Sequence, residues 1–193
     1  MSYISLSGNI AVGKSTVLAG LEEKGYKTVY ENLGPEFLSL LADYNEDPMT
    51  AIDLQNYINE YRFNDSKRSS LIEDDLFIHE RSMIDDMIFT THMMGRGEIT
   101  ELAWVKFLEE AHRRLDICPP KKVIYLYADP ETTYSRMAAR GRPEESNQTL
   151  MSLAELEQTH QLLLPMICEE IGAELIEVDW TNFGDINDII KVL

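Results

Sequence analysis

The 193-residue chain has little cysteine, little positive charge and no long apolar run. Its two cysteines, Cys118 and Cys168, are too few for a disulfide framework, and nothing near them has metal-ligand spacing. The four histidines, His79, His92, His112 and His160, show no zinc spacing either, and no chemistry is assigned to them. Seventeen Lys and Arg stand against 34 Asp and Glu, a formal charge of −17. That balance argues against nucleic acid and anionic membrane as partners, because both would be repelled. No stretch approaches the roughly 18 apolar residues that a membrane span requires. Met1 to Gly8 lack the basic region and apolar core of a signal peptide, so a cytoplasmic, reducing setting is the expectation. No internal repeat, low-complexity tract or Pro/Gly/Ser linker divides the chain.

What is present is 44% hydrophobic residues, enough for a core, in a length that suits one domain over residues 1–193. Short apolar runs at Tyr3–Ser7, Lys27–Tyr30, Leu76–Glu80, Val123–Tyr127 and Glu174–Val178 predict strands. Between them, helical periodicity predicts helices at about Pro48–Leu71, Ser82–Met94, Thr100–Leu115, Pro130–Arg140, Leu153–Ile171 and Asp185–Leu193. Alternation of this kind implies an α/β fold, a five-stranded parallel sheet flanked by helices. In such sheets ligands sit beyond the carboxyl ends of the strands.

Directly after the first run stands Gly8-Asn9-Ile10-Ala11-Val12-Gly13-Lys14-Ser15, followed by Thr16, which fits G-x-x-x-x-G-K-S before a helix. The two glycines allow successive N–H groups to face one concavity, and the helix adds its positive end. Lys14 is placed to reach the β- and γ-phosphates, and the Ser15 hydroxyl to ligate Mg²⁺. A nucleoside triphosphate is therefore the expected ligand. A regulatory GTPase is excluded, since neither Asn/Thr-Lys-x-Asp nor Asp-x-x-Gly occurs.

Three further features point to a small-molecule acceptor. Glu31 stands just past the second strand, where a base can meet an acceptor hydroxyl, although a solvated loop carboxylate competes with that reading. His79-Glu80-Arg81-Ser82 ends the third strand with adjacent opposite charges, read either as a site or as an exposed ion pair capped by Ser82. Arg136, Arg140 and Arg142 concentrate positive charge in an acidic chain, as a lid over a transferring phosphoryl group would. Asp129, before Pro130, is read as a helix N-cap rather than a metal ligand, and Glu80 takes the metal side.

These strings resemble the deoxynucleoside kinase family, the deoxycytidine, deoxyguanosine and deoxyadenosine kinases. The Gly-Asn-Ile-x-x-Gly-Lys-Ser-Thr cradle, Glu80-Arg81-Ser82 and Arg-Gly-Arg-x-Glu-Glu agree in kind and order, from residue 3 to about 179. The resemblance implies the P-loop nucleoside kinase fold, with an arginine-rich lid at about 136–148, and a homodimer. It implies that Glu31 is the general base for the nucleoside 5′-hydroxyl and that Arg81 holds Glu31 and the phosphates. Tyr44 and Glu145 would bind the sugar 3′-hydroxyl, and Gln55 the base edge with Arg62 and Asp86. Gln55 and Arg62, seven apart, also share one helix face by spacing alone. An Arg62/Asp86 pair resembles members that take deoxyadenosine, deoxyguanosine or deoxycytidine ahead of thymidine. Two departures stand out: Glu31 is followed by Asn32-Leu33-Gly34-Pro35 where the family commonly has Pro-Val, and His92-Met93-Met94-Gly95-Arg96-Gly97 has no counterpart. Those methionines read as core or interface filling.

The expected reaction is transfer from ATP–Mg²⁺ to a deoxynucleoside. A nucleoside monophosphate kinase ranks second, because residues 31–62 contain no Lys and only Arg62 to hold an acceptor phosphate. A non-catalytic nucleotide-binding subunit ranks third.

Overall fold

The computed structural model describes residues 3–32, 34–72 and 75–193. The expected runs form β1 (Ile4–Gly8), β2 (Lys27–Val29), β3 (Phe77–Glu80), β4 (Lys122–Tyr127) and β5 (Glu174–Asp179). They make one parallel sheet in the order β2-β3-β1-β4-β5. β1 and most of β4 are buried, as central strands covered on both faces must be. Alternation along β4 shows the two cores directly. Val123 and Tyr125 join Met83, Ile84, Met87, Phe107, Leu156 and Leu164 on one face. Ile124 and Leu126 join Leu6, Val17, Leu18, Leu21, Trp180 and Ile189 on the other.

The helices are α1 (Lys14–Glu23), α2 (Gly34–Glu46), α3 (Ala51–Ser70), α4 (Met83–Gly95), α5 (Glu101–Ile117), α6 (Pro130–Arg140), α7 (Leu150–Ile171) and α8 (Ile186–Ile190). α2 is absent from the expectations above. Gly34-Pro35 reads as a turn, yet Pro35 sits at the first helical turn, where a missing N–H costs nothing. Phe37, Leu40, Leu41 and Tyr44 then pack on Leu54 and Ile58 of α3. The helix expected from Pro48 begins with a 3₁₀ turn, Pro48–Thr50, capped by the Asp47 side chain on the Met49 N–H. The last helix is shorter than expected: Asp185 is its N-cap rather than its first residue, and it ends at Ile190 with Lys191 as C-cap. Asp129 does precede α6 with Pro130 in its first turn, but its side chain makes no capping bond. α7 starts at Leu150, three residues before the expected boundary, because Thr149 and Ser152 form a reciprocal capping box. No helix among the described residues is long and apolar enough to cross a membrane.

The row of strand ends arranges the chemistry. Glu31 follows the edge strand β2, Arg81 follows β3, and the glycine loop follows the central β1. α6 with its arginines follows β4, and Trp180 to Phe183 follow β5.

Candidate active site

A cavity of about 680 Å³ opens at the carboxyl ends of the strands. Its phosphate end is built from backbone. Gly8 has φ +141, and a Cβ there would stand 2.3 Å from the Leu126 carbonyl oxygen; Gly13 has φ +118, with Phe183 3.0 Å from a would-be Cβ. Only glycine fits both the torsion and the approach. The Lys14 ammonium folds back over the cradle, donating to the Gly8 carbonyl at 2.9 Å and the Asn9 carbonyl at 2.7 Å. Burial, reinforced by the nearby Arg81 charge, pushes the Lys14 ammonium down to about 7. Asn9 is fully buried. Its side chain accepts from the Ile10 N–H and donates to the Leu153 carbonyl (2.8 Å) and Glu157 Oε2 (3.0 Å), tying the loop to α7. Ile10, Ala11, Ser15 and Thr16 line the cavity, whereas Val12 turns into the core.

The acceptor end is built from side chains on separate elements. Both oxygens of Glu31 are engaged, Oε2 by Arg81 Nη1 at 2.8 Å and Oε1 by Arg62 Nη2. Burial alone would raise its pKa, but Arg62, Arg81 and Lys14 hold the carboxyl below its ordinary range. Arg81 sits at φ +68, left-handed backbone that a non-glycine residue rarely adopts, at the turn from β3 into α4. Ser82 caps that helix in a capping box with Asp85, so the string at the end of β3 serves both a site and a cap. Asp85 is fully buried; burial would raise its pKa, but His160, Arg81 and the Ser7 hydroxyl (2.7 Å) bring it to about 2. Arg62 also pairs with Asp86, and Gln55 lies buried on the same wall.

The two ends meet at Glu80. Its Oε1 accepts from Ser15 Oγ at 2.8 Å, and its Oε2 from the Glu31 N–H at 3.4 Å. No three His, Cys, Asp or Glu side chains converge as a cation cage among the described residues. Ser15 and Glu80 instead offer two hard oxygens, which suits Mg²⁺ because that ion takes one or two protein ligands and fills its shell with phosphate and water.

Most of the residues expected from the sequence line this one cavity: Gly13, Lys14, Glu31, Tyr44, Gln55, Arg62, Glu80, Arg81, Asp86, Arg136, Arg140, Arg142 and Glu145. Four of these, Arg136, Arg140, Tyr44 and Glu145, make contacts that the sequence does not announce. Arg136 is a strut: it donates to the carbonyls of Val12 (2.8 Å), Trp180 (3.0 Å) and Thr181 (2.9 Å), and lies 4.0 Å over the Phe183 ring. It braces α6 against the glycine loop, while Arg140, four residues on, pairs with Glu145. Tyr44 donates its hydroxyl to Glu98 at 2.9 Å, while Glu145 accepts from Arg140. Leu33, within the departure after Glu31, lies outside the described residues. Met93 packs with Ala51 and Ile99, in agreement with core filling.

Sequence reasoning misses Asn59, Glu98, Glu157 and Phe183. Asn59 is readable in part, since it falls between Gln55 and Arg62 at helical spacing. The others reach the site from distant segments and carry no local signal.

A family model described as deoxynucleoside kinase matches residues 4–191. The chain is 28% identical over 194 residues to a deoxyguanosine kinase of Dictyostelium discoideum, covering 97% of this chain and 67% of that protein. It is 29% identical over 171 residues to a probable deoxycytidine kinase of Fowlpox virus, covering 82% of this chain and 69% of that one. A solved deoxyadenosine kinase from M. mycoides with bound dATP superposes with a TM-score of 0.84 at 20% identity, over 100% of this chain and 98% of that chain.

Proposed function

The chain belongs to the deoxynucleoside kinase family, and on that footing we propose that it transfers the γ-phosphoryl group of ATP to the 5′-hydroxyl of a deoxynucleoside. Deoxyadenosine, deoxyguanosine or deoxycytidine is the acceptor ahead of thymidine. The observation that carries this reading is the Glu31 carboxylate at the rim of the cavity, gripped on both oxygens and facing the Lys14 cradle.

In this reading Glu31 accepts the proton of the 5′-hydroxyl as the new P–O bond forms. A carboxylate held ionised is a weak base, which suits a loose phosphoryl transfer in which the proton leaves late. Arg81 orients Glu31 and offers its remaining donors to the transferring group, and Lys14 leaves its carbonyl partners for the phosphates. Bound Mg²⁺ would be held by Ser15 and Glu80 and would neutralise phosphate charge. Arg136, stacked on Phe183, makes the far wall of the cavity beside the glycine loop.

A monophosphate acceptor is disfavoured by charge. Arg62 and Arg81, the cations beside Glu31, are already matched by Glu31 and Asp86. Curated relatives described as deoxyguanosine kinase and probable deoxycytidine kinase support the leaning toward those bases. The test is label transfer from ATP across the four deoxynucleosides and their monophosphates. Transfer to a deoxynucleoside other than thymidine is expected; best transfer to thymidine, or to a monophosphate, overturns the reading.

A further inference from the structure

Behind the acceptor end runs a polar chain that the reaction above does not use. Asn59 on α3 is 1% exposed, and both ends of its amide are engaged. Nδ2 donates to Asp86 Oδ2 at 3.0 Å, and Oδ1 accepts from Arg114 Nη1 at 2.8 Å. This amide has one permitted orientation. Arginine carries only donors, so Arg114 must face the oxygen, and the nitrogen must then face Asp86. Arg114 is itself fixed from outside, by its Nε on Glu110 Oε1 at 2.8 Å and by the Phe63 ring 5.6 Å from its guanidinium carbon. Asp86 is 1% exposed, so its carboxylate depends on protein partners more than on water. One oxygen is committed to Asn59 and the other to Arg62, whose second arm holds Glu31.

We propose that Asn59 is a positioning residue for nucleoside selection: by fixing the Asp86 carboxylate, it fixes how the Arg62 guanidinium meets the base. The proposal deepens the deoxynucleoside reading and rests on it. Asn59 does not line the cavity and touches no reacting atom, whereas Arg62 and Asp86 do line it. Arg62 Nε is buried without a hydrogen-bond partner among the described residues, a donor that a bound base can satisfy. Gln55, Asn59 and Arg62 follow one another at helical spacing, so one face of α3 carries the reader, its brace and its cation together.

The test is Asn59→Asp in the full chain. The substitution keeps the shape and the acceptor toward Arg114, and replaces the donor toward Asp86 with a second carboxylate. KM and kcat are measured for the four deoxynucleosides at saturating ATP, with thermal melting alongside. Losing a charge-assisted bond in a buried site should raise KM for the preferred deoxynucleoside roughly ten-fold and flatten the preference among bases. The KM for ATP should stay within about two-fold, because the phosphate end is untouched, and kcat should fall by less than the nucleoside KM rises, because Arg81 still holds Glu31. Arg114→Gln, at a partly exposed position, should move the same quantities the same way by about three-fold. A folded Asn59→Asp enzyme with unchanged nucleoside KM and base preference overturns the proposal, as does a parallel loss in kcat and in both KM values. If Asn59→Asp does not fold, unchanged base preference in Arg114→Gln overturns it. Wild-type protein that phosphorylates no deoxynucleoside removes the functional reading first and this proposal with it, a failure visible before any variant is made.

Discussion

The two ends of the cavity are made of different material. At the phosphate end the working groups are backbone, shaped by Gly8 and Gly13 within one contiguous string, with Lys14 added. At the acceptor end they are side chains: Glu31 after β2, Arg62 on α3, Arg81 after β3 and Asp86 on α4. A backbone site is written in neighbouring residues because torsion is local. A side-chain site exists only after helices pack, so its members are scattered and its energetics are those of paired, buried charge.

The largest expected effect separates the two ends. Glu31→Gln should lower kcat about 10³-fold while nucleotide affinity, read by equilibrium titration, stays within about two-fold. An equal loss in both would mean that the ends are not separable.

Next comes a contrast between glycines. Gly8→Ala puts a Cβ 2.3 Å from a carbonyl oxygen at φ +141. It should cost about 3 kcal/mol of stability in denaturant titration and abolish tight nucleotide binding. Gly25→Ala, at φ +88 with nothing within 4 Å, carries only the torsional cost. That cost is about 1 kcal/mol, with nucleotide binding kept.

A pH profile sharpens the comparison further. The Lys14 ammonium, lowered to about 7 by burial and by Arg81, is charged below that pH and lost as pH rises through it. The kcat/KM for the nucleotide should therefore fall above pH 7 with a free-enzyme limb near that value. In kcat at saturating nucleotide the limb should move upward, because the bound polyanion favours the charged form. Glu31 has its pKa lowered by Arg62 and Arg81 against burial. It should contribute no acid limb above its unperturbed value of about 4.3. Glu31 also contributes stability that is present above that unfolded value and lost as pH falls through its lower folded value.

The smallest effect is at two helix starts. Thr149→Ala removes a capping box and should cost about 1 kcal/mol. Asp129→Ala removes no capping bond and should cost no more than about 0.3 kcal/mol.

The same division explains what the amino-acid sequence makes legible by itself. The strands, their parallel alignment and the Gly8–Ser15 cradle follow from local rules of alternation and torsion. Glu31, Arg81 and Asp86 stand out through family-like spacing, and their convergence depends on β2 and β3 lying side by side. Arg136 illustrates the limit: its i, i+4 relation to Arg140 says that both share a helix face. It does not reveal that three carbonyls from two remote segments will capture one of them. α2 escapes a sequence reading because Gly34-Pro35 signals a turn as strongly as a helix start, and only packing on α3 decides. Asn59 needs Arg114, 55 residues away, before its orientation means anything.

The strand order carries a practical consequence. With β1 central, most of the residues proposed to meet the acceptor, Glu31, Tyr44, Gln55, Arg62, Arg81 and Asp86, fall within residues 27–95 on one flank, and Glu145 joins them from the turn after α6. The groups proposed to brace the donor nucleotide sit in the loop after β1 and on the other flank. A cassette exchanged between the loop and α5 could retune which alcohol is chosen while the triphosphate grip stays intact, so new acceptor preferences are reachable by transplanting a single segment.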